Sequence, residues 1–598
     1  MILQALTDYY KLLIQDENSG ISAKGYCDSN VSYALVLSQS GEILNFVPTM
    51  QTVKRGKKEV EISQKMIIPQ QKNKTSGVSS NFLCENCSYV FGIYKPDLKL
   101  DEEKQAKEAM KIKRCFEAFA KLHHDILDDV DCDEAKALLA FVDNWDIEQA
   151  YENEILKPYI NNLLKSGNIV FMLDGKISYI HQNQQICDAW ERSINNDSSS
   201  EEKSQCLVTG KLSEIARLHP KIKGVYNAQT MGVSLVSFNA KAYESYEKEQ
   251  GDNAPVGKDA AFAYGTALNY LLSNQNNNLH FGNTTMVFWA KNKNKLLDKM
   301  AKSFFDIPDS PQETQPDEYE KNAEVEKDIS YYLKAVMQGK WYEIENEIDK
   351  NTDFYIFGMS PNAARISVRF FIHNSYGDFA QKIKNHYDDL KIEKEYENEK
   401  EYLPLWILLN ETVSQNSKDK SPMPLIIDSV LRAILTGTAY PQLLYTQTLL
   451  RIKAEREIGY AKASIIKACL IRKNYKDKGA LTVGLNEECN DKAYILGRLF
   501  AYLESTQEAA NGSSQMKANY LTSACSTPRS VFPSLLKMST HHIRKIDFGV
   551  KFEKAIGEML DKLNTDAPFP AHLTLEEQGV FILGYYHQRR TFFIKINK

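Results

Sequence analysis

Cysteine is scarce: ten thiols are scattered over 598 residues. That spacing excludes a disulfide framework and predicts reduced thiols. Long apolar runs are missing too. The uncharged stretch 433–450 carries Thr, Gln, Tyr, Gly and Pro, which excludes it as a membrane span. The opening MILQALTDYYKLL lacks a basic start and a long apolar run; its Ile2, Leu6, Tyr9 and Leu13 mark one helix face, not a signal peptide. A cytoplasmic, membrane-free protein is expected. Positive charge is in deficit as well, 73 Lys and Arg against 78 Asp and Glu, a net of -5. Any grip on a polyanion must therefore come from local patches.

Catalytic signatures fail one by one. No G-x-S-x-G, H-E-x-x-H or G-x-G-x-x-G occurs in its required context. Cys84 and Cys87 form a C-x-x-C without the second pair that would complete four zinc ligands. In GDNAPVGKD, residues 251–259, the glycines stand one residue too far apart for a phosphate loop, and Asp259 replaces the Ser or Thr that holds magnesium. His123, His124 and Asp125 look like the His-Asp pair of metal-dependent phosphohydrolases, and a metal-dependent nucleic-acid phosphohydrolase is the alternative reading. Helical neighbours point in different directions, which favours ordinary exposed and half-buried side chains. The expectation is no enzyme, no metal and no cofactor.

What is present is material for several domains, with 43% apolar and 25% charged residues in ordinary globular balance. Residues 26–95 read as short strands and loops, and 100–164 as helix with Phe116 and Trp145 as anchors. GVSLVSFNA and TTMVFWA read as buried strands around the helix AAFAYGTALNYLL. Residues 306–328 hold nine acids against two lysines, with three prolines, and read as a solvated excursion. FYIFGMSPNAARISVRFFI reads as two strands joined by a Ser-Pro-Asn turn. From Pro404 the pattern is helical, with breaks at Pro422, Pro441, Pro528, Pro533 and Pro568. The fold class is α+β: mixed N-terminal and middle α/β regions followed by a C-terminal helical bundle, divided as 1–165, 166–402 and 403–598.

Three basic segments stand out. The stretch 51–74, read as a loop, holds seven basic and two acidic residues among Asn, Gln and Ser. Lysines grip phosphates and amides reach base edges, so Lys72, Asn73, Lys74, Ser76 and Asn81 are the expected duplex-reading residues; a solvated surface loop is the other reading. In ARISVRFFI, alternation places Arg365, Ser367, Arg369 and Phe371 on one face and Ile366, Val368 and Phe370 on the other. That face, with Ser360 and Asn362, suits RNA, while cross-strand ion pairing explains the spacing equally. Residues 429–476 hold nine basic and two acidic residues. On one continuous helix Arg451, Lys462 and Lys473 fall within about 40° of one line. That ridge, with Arg432, Lys453, Arg456 and Arg472, and Arg544 and Lys545 further on, is expected to hold a DNA strand by its phosphates.

Eight ordered segments carry a resemblance: MILQAL; NFLCENCSYVFG; VSFNAKAYESY with NAPVGKDAAFAYGTALNYLL; FGNTTMVFWA; SPNAARISVRFF; RAILTGTAYPQLLYTQTLLRIKAER; AYILGRLFAYLESTQEAAN; and TPRSVFPSLLKMSTHHIRKI. Together they resemble the large subunit of the type I-C (Dvulg subtype) CRISPR Cascade complex. The resemblance implies a subunit near the 5′ handle of a guide crRNA that recognises the protospacer-adjacent motif in target double-stranded DNA and supports R-loop formation. It implies Cascade backbone and handle-binding subunits as partners, and a helicase-nuclease recruited in trans for antiviral defence. Residues 1–165 would carry the motif-reading loop. Residues 166–402 would anchor guide RNA and neighbouring subunits through Ser360, Asn362, Arg365 and Arg369. The last part of 403–598 would also be made as a separate small subunit. No Met lies between Met423 and Met516, so that product would start at a non-AUG codon such as that of Leu481, Val483 or Leu485.

Overall fold

A computed structural model describes residues 1–16, 19–55, 58–72, 77–95, 102–165, 167–196, 203–292, 295–303, 335, 339–340, 349–417, 422–547, 549–563 and 566–594. The acidic stretch 306–328 lies outside them. The chain forms two compact units, Met1–Ile222 with Ser234–Tyr270, and Lys223–Val233 with Leu271–Lys598.

In the first unit, α1 (Ile2–Leu13) buries Leu6, Tyr9 and Leu13, as its spacing predicts. Strand β1 (Tyr26–Leu37) is the hub of the sheet. It pairs antiparallel with β2 (Ile43–Pro48) and, from Tyr26 to Val31, with β5 (Gln64–Pro69). The stretch between, expected as loop, is β3 (Gln51–Arg55) and β4 (Lys58–Ile62), an antiparallel two-stranded ribbon in which Val53 pairs with Val60. β-Branched residues favour the pleated conformation despite the surrounding charge. Helices α2 (Cys87–Val90), α3 (Glu102–Leu127), α4 (Asp133–Asn144) and α5 (Ile160–Leu163) follow; β6 (Asn168–Leu173) then joins β1 in parallel, before α6 (Gln184–Asn196). Tyr33, Leu35, Phe46, Phe91, Phe119, Phe141 and Phe171 form one aromatic core. Next come a short hairpin of β7 (Lys203–Gln205) and β8 (Leu212–Glu214), the two-residue strands β9 (Lys221–Ile222) and β10 (Val233–Ser234), and α7 (Lys258–Ser273).

The second unit contains the antiparallel run β11 (Asn278–Phe281), β12 (Thr284–Ala290), β13 (Asp353–Asn362) and β14 (Arg365–Ser375), in that order. The turn between β13 and β14 is Ala363–Ala364, two residues later than the expected Ser-Pro-Asn turn, with Ala363 left-handed at φ 51. Helix α8 (Lys295–Ser303) packs on β12, and α9 (Tyr376–Leu390) on β13 and β14. The rest is helical: α10 (Leu405–Asn410), α11 (Pro424–Thr436), α12 (Gln442–Glu455), α13 (Tyr460–Arg472), α14 (Lys492–Asn511), α15 (Met516–Ser526), α16 (Pro528–Ile543), α17 (Gly549–Asp561) and α18 (Leu575–Ile594). Pro441 and Pro528 mark helix starts as expected, but Pro533 lies inside α16. Burial of Phe532 and Leu535 on either side of it outweighs the lost backbone N–H.

Two glycines set the closest helix contact. A Cβ on Gly497 of α14 would lie 2.0 Å from Phe581 O, and one on Gly584 of α18 would lie 2.2 Å from Tyr494 O. Tyr494 OH also meets His587 Nδ1 at 2.8 Å, and buried Arg498 donates to Gln588 Oε1 at 2.9 Å. Gly497→Ala or Gly584→Ala is therefore expected to cost about 1–3 kcal/mol through overpacking and to lower the melting temperature. Gly557, where a Cβ would meet no atom within 4 Å, is the control, since Ala there is neutral or stabilising. Equal melting curves for all three variants would refute the close contact.

Four histidines are buried and held neutral. Burial pushes His123 and His181 down to about 4. It pushes His386 and His587 down to about 3, aided by Arg472 and Lys467 respectively. The unfolded chain takes up these protons near 6.5, so their contribution is intact above that pH and is lost as pH falls towards 4 and then 3. Thermal melts should show stability dropping from about pH 6.5 downward, and His123→Gln should flatten the upper part of that drop. A profile unchanged by the substitution would show that His123 is not neutral in the fold.

Candidate nucleic-acid interface

In the first unit, Lys72 is exposed and Asn81 is buried. The Asn81 amide is already committed: Oδ1 accepts from Lys72 N at 2.8 Å and Nδ2 donates to Gln71 Oε1 at 2.7 Å. Asn81 N donates to Glu85 Oε1, and Asn86 N to Glu85 Oε2, both at 3.0 Å. Asn81 thus clasps the two ends of the segment that carries Lys72, and its amide is not free to meet a base. Asn73, Lys74 and Ser76 lie outside the described residues.

The His-His-Asp sequence braces this same segment. Leu83 is left-handed at φ 57, and its N–H donates to His123 Nε2 at 3.0 Å. Nδ1 of His123 must then carry the proton, which it donates to Phe119 O at 2.7 Å. Phe82 stacks between His123 and Trp190, 5.1 Å from each. His124 turns to Asp128 and Asp143 at 2.7 and 2.9 Å, and Asp125 is exposed, so the three side chains do not converge. Cys84 and Cys87 are buried, and burial raises both thiols; Cys87 donates to Leu163 O at 3.4 Å. In the segment 251–259, Lys258 pairs with Glu214 at 3.4 Å and Gly257 N donates to Cys206 Sγ at 3.2 Å. Among the described residues no three His, Cys, Asp or Glu side chains are grouped to hold a metal.

In the second unit, Asn362 and Arg365 form the last pair of the β13–β14 hairpin. The expected alternation along β14 holds for Ile366 and Phe370, which are buried, but not for Val368, which is 47% exposed. A bulge explains the difference: Gly358 pairs with Phe370 and Met359 with Val368, leaving Arg369 unpaired in the ladder. Arg369 Nε donates to buried Ser360 Oγ at 2.7 Å and lies 3.7 Å from Asp428. Asp428 accepts from Thr284 Oγ1 at 2.5 Å, and Arg432 Nη2 donates to Arg369 O at 2.7 Å. Ser360, Arg369 and Arg432, assigned from sequence to two different ligands, therefore form one cluster.

The ridge expected along 451–473 does not exist as one line. Helix α12 ends at Arg456, left-handed at φ 59, and α13 starts afresh after Gly459. Lys462, 4% exposed, donates to Glu455 at 2.7 Å with Glu411 at 3.7 Å. Arg472 binds Asp389 at 2.7 Å and the carbonyls of Ala433 and Thr438 at 2.8 and 3.0 Å, with its guanidinium 4.2 Å from the Tyr440 ring centroid. Lys473 binds Gln442 and Glu576, Lys453 binds Ser526 and Gln578, and Arg456 binds Ala518 O and Thr522. Arg451 is half-buried. Lys462, Arg472, Lys473, Lys453 and Arg456 tie helices together.

Arg544 and Lys545 fare differently: both are exposed, just past the end of α16. They extend a face that sequence reading passed over. Arg529, Ser530, Ser534, Lys537, Thr540 and His541 of α16 are all exposed. From 528 to 545 the sequence holds no acid. Among the described residues none of Arg529, Lys537, Arg544 and Lys545 forms an ion pair. The signal was present as basic residues at 529, 537, 541, 544 and 545 with no acid among them.

No helix of the described residues is long and apolar enough to cross a membrane. No curated protein matches the chain. The family model described as CRISPR-associated protein (Cas_Csd1) matches residues 6–593. With nearly every residue inside that match, the chain belongs to the CRISPR-associated Csd1 family, the large subunit of type I-C Cascade in antiviral defence.

Proposed function

We propose that this chain is a non-catalytic subunit that reads the protospacer-adjacent motif in duplex DNA, stabilises the opened strands and presents the complex to a helicase-nuclease. The observation that carries this reading is the exposed face of α16 running on to Lys545, cationic, free of acids and lined with hydroxyls. Such a face suits a phosphate backbone and has little with which to read bases. Motif reading is assigned to the segment clasped by Asn81, with exposed Lys72 as a phosphate contact and Asn81 as its positioning residue. Asn362, Arg365 and the Ser360–Arg369–Arg432 cluster are assigned to the guide crRNA or the handle-binding subunit. The three regions 1–165, 166–402 and 403–598 keep these roles. A separately translated small subunit beginning at Leu481, Val483 or Leu485 would start between α13 and α14, where a new chain end interrupts no α-helix. The phosphohydrolase reading has no observation in its favour, since His123 is spent on Leu83 and Phe119.

Replacing Arg529, Lys537, Arg544 and Lys545 together by Ala should leave the melting curve and the motif-duplex affinity near wild type. Affinity for single-stranded DNA should fall, and its log-log salt slope should become shallower by about 0.7 for each phosphate no longer neutralised. On matched targets, permanganate reactivity of unpaired thymines should drop, and negative supercoiling should restore part of it, because strand exchange is nearly balanced in energy. Unchanged opening on relaxed DNA would make α16 an ordinary solvated helix. For the sheet cluster, the Arg365→Ala, Arg369→Ala double variant should fold but fail to co-purify with the guide and backbone subunits. Wild-type assembly would make these arginines structural.

A further inference from the structure

In the first unit, residues 241–257 fold back on the β7–β8 hairpin and the segment after it. Leu207 N donates to Pro255 O and Ala216 N to Val256 O, both at 2.9 Å. Gly251 seats the fold: a Cβ there would lie 2.3 Å from Ala216 O. Asn253 closes the loop. Its Oδ1 accepts from Ser245 N at 2.9 Å, and its Nδ2 donates to Lys248 O at 2.8 Å and to Gln250 O at 3.1 Å. Within this clasp Tyr246, Glu247 and Gln250 are all left-handed, at φ 56, 58 and 44. Residues with a Cβ avoid that region, and such strain persists where the surroundings fix it, at ligand clamps above all.

The clasped loop holds out an aromatic ring. Tyr246 is 95% exposed, and the same packed piece carries Leu207, Leu212 and Leu218 at 64, 74 and 73%. Single exposed apolar residues are ordinary, but a group of them on one piece of structure marks an interaction surface. Residues 241–253 hold four acids against two lysines, a balance that repels a phosphate backbone instead of gripping it. Nucleic acid is thereby disfavoured as the occupant. A tyrosine among carboxylates matches a protein surface whose apolar pocket is rimmed by Lys or Arg. A subunit that holds guide RNA by its phosphates must carry such cations. We infer that Tyr246 anchors a protein interface, its ring entering an apolar pocket rimmed by cations on a neighbouring guide-bound subunit, with Glu247 and Glu249 supplying the matching charge. The fixed loop lowers the cost of binding, because little order remains to be imposed. This rests on the assembly with guide and backbone subunits proposed above, but on residues that reading does not use.

The test titrates the full chain onto the guide-bound assembly of the other subunits. Wild type is compared with Tyr246→Ala, Tyr246→Phe, Glu247→Lys with Glu249→Lys, and Ile177→Ala. Ile177, 97% exposed and outside the loop, is the control. All forms should melt alike, since the altered side chains are exposed. Tyr246→Ala should bind at least about tenfold more weakly, while Tyr246→Phe and Ile177→Ala bind like wild type. The charge reversal should weaken binding and flatten its salt dependence. If Tyr246→Ala binds like wild type, the loop inference falls and the assembly stands. A loss in Tyr246→Phe equal to that in Tyr246→Ala would overturn the apolar pocket. Self-association of the chain alone, abolished by Tyr246→Ala, would assign the loop to a second copy; weaker binding of naked guide RNA would assign it to nucleic acid, and either result overturns the inference. If wild type itself does not join the assembly, the assembly reading falls and takes the loop with it.

Discussion

Taking an ammonium or guanidinium out of water costs several kcal/mol unless a carboxylate or carbonyl receives it, and in the C-terminal helices that cost sorts the cations into two populations. Lys462 with Glu455 and Glu411, and Arg472 with Asp389, belong to the first. Lys467 shows the cost without a close carboxylate oxygen: it donates to Asp389 O at 3.0 Å, and burial pushes its ammonium down to about 8. None of these can turn to a phosphate without abandoning a partner, which for a buried pair costs about 3–5 kcal/mol. Arg529, Lys537, Arg544 and Lys545 remain hydrated and unpaired among the described residues, so a passing backbone meets them at little cost.

This sorting marks where sequence reading stops. The helical third, the antiparallel strands and the buried face of α1 were legible because periodicity is local. The partner of Lys462 was not: a lysine eleven residues from Arg451 looks the same whether it faces water or Glu455. The eleven-residue rule also assumed an unbroken helix, and the left-handed Arg456 with Gly459 behind it breaks it. Likewise a bulge at Arg369 is a property of two strands together, and it moved Val368 to the surface. Asn81 was expected from sequence to read a duplex, but its clasp on Lys72 and Gln71 depends on a fold that brings 71 and 81 together.

Strain is concentrated where segments must be held in place. A left-handed non-glycine residue costs about 1–2 kcal/mol and survives when its surroundings fix it. Leu83 is fixed by His123, and Arg456 by bonds to Ala518 O and Thr522. The neutral, single-tautomer state of His123 follows from the same geometry: a charged imidazole would offer Leu83 N–H no lone pair. Chemistry that resembled a metal site is thus spent on backbone positioning at Leu83.

A net charge of -5 is compatible with this division. At physiological salt the Debye length is about 8 Å, so a bound strand senses the cations beside it far more than carboxylates elsewhere on the chain. A protein basic overall would gain affinity for every stretch of duplex, because non-specific binding grows with the number of phosphates neutralised. On α16 and just past it, Arg529, Lys537, Arg544 and Lys545 make a small local set among the described residues. For the proposed role, so small a set would keep dwell time on unmatched DNA short and leave target choice to guide pairing.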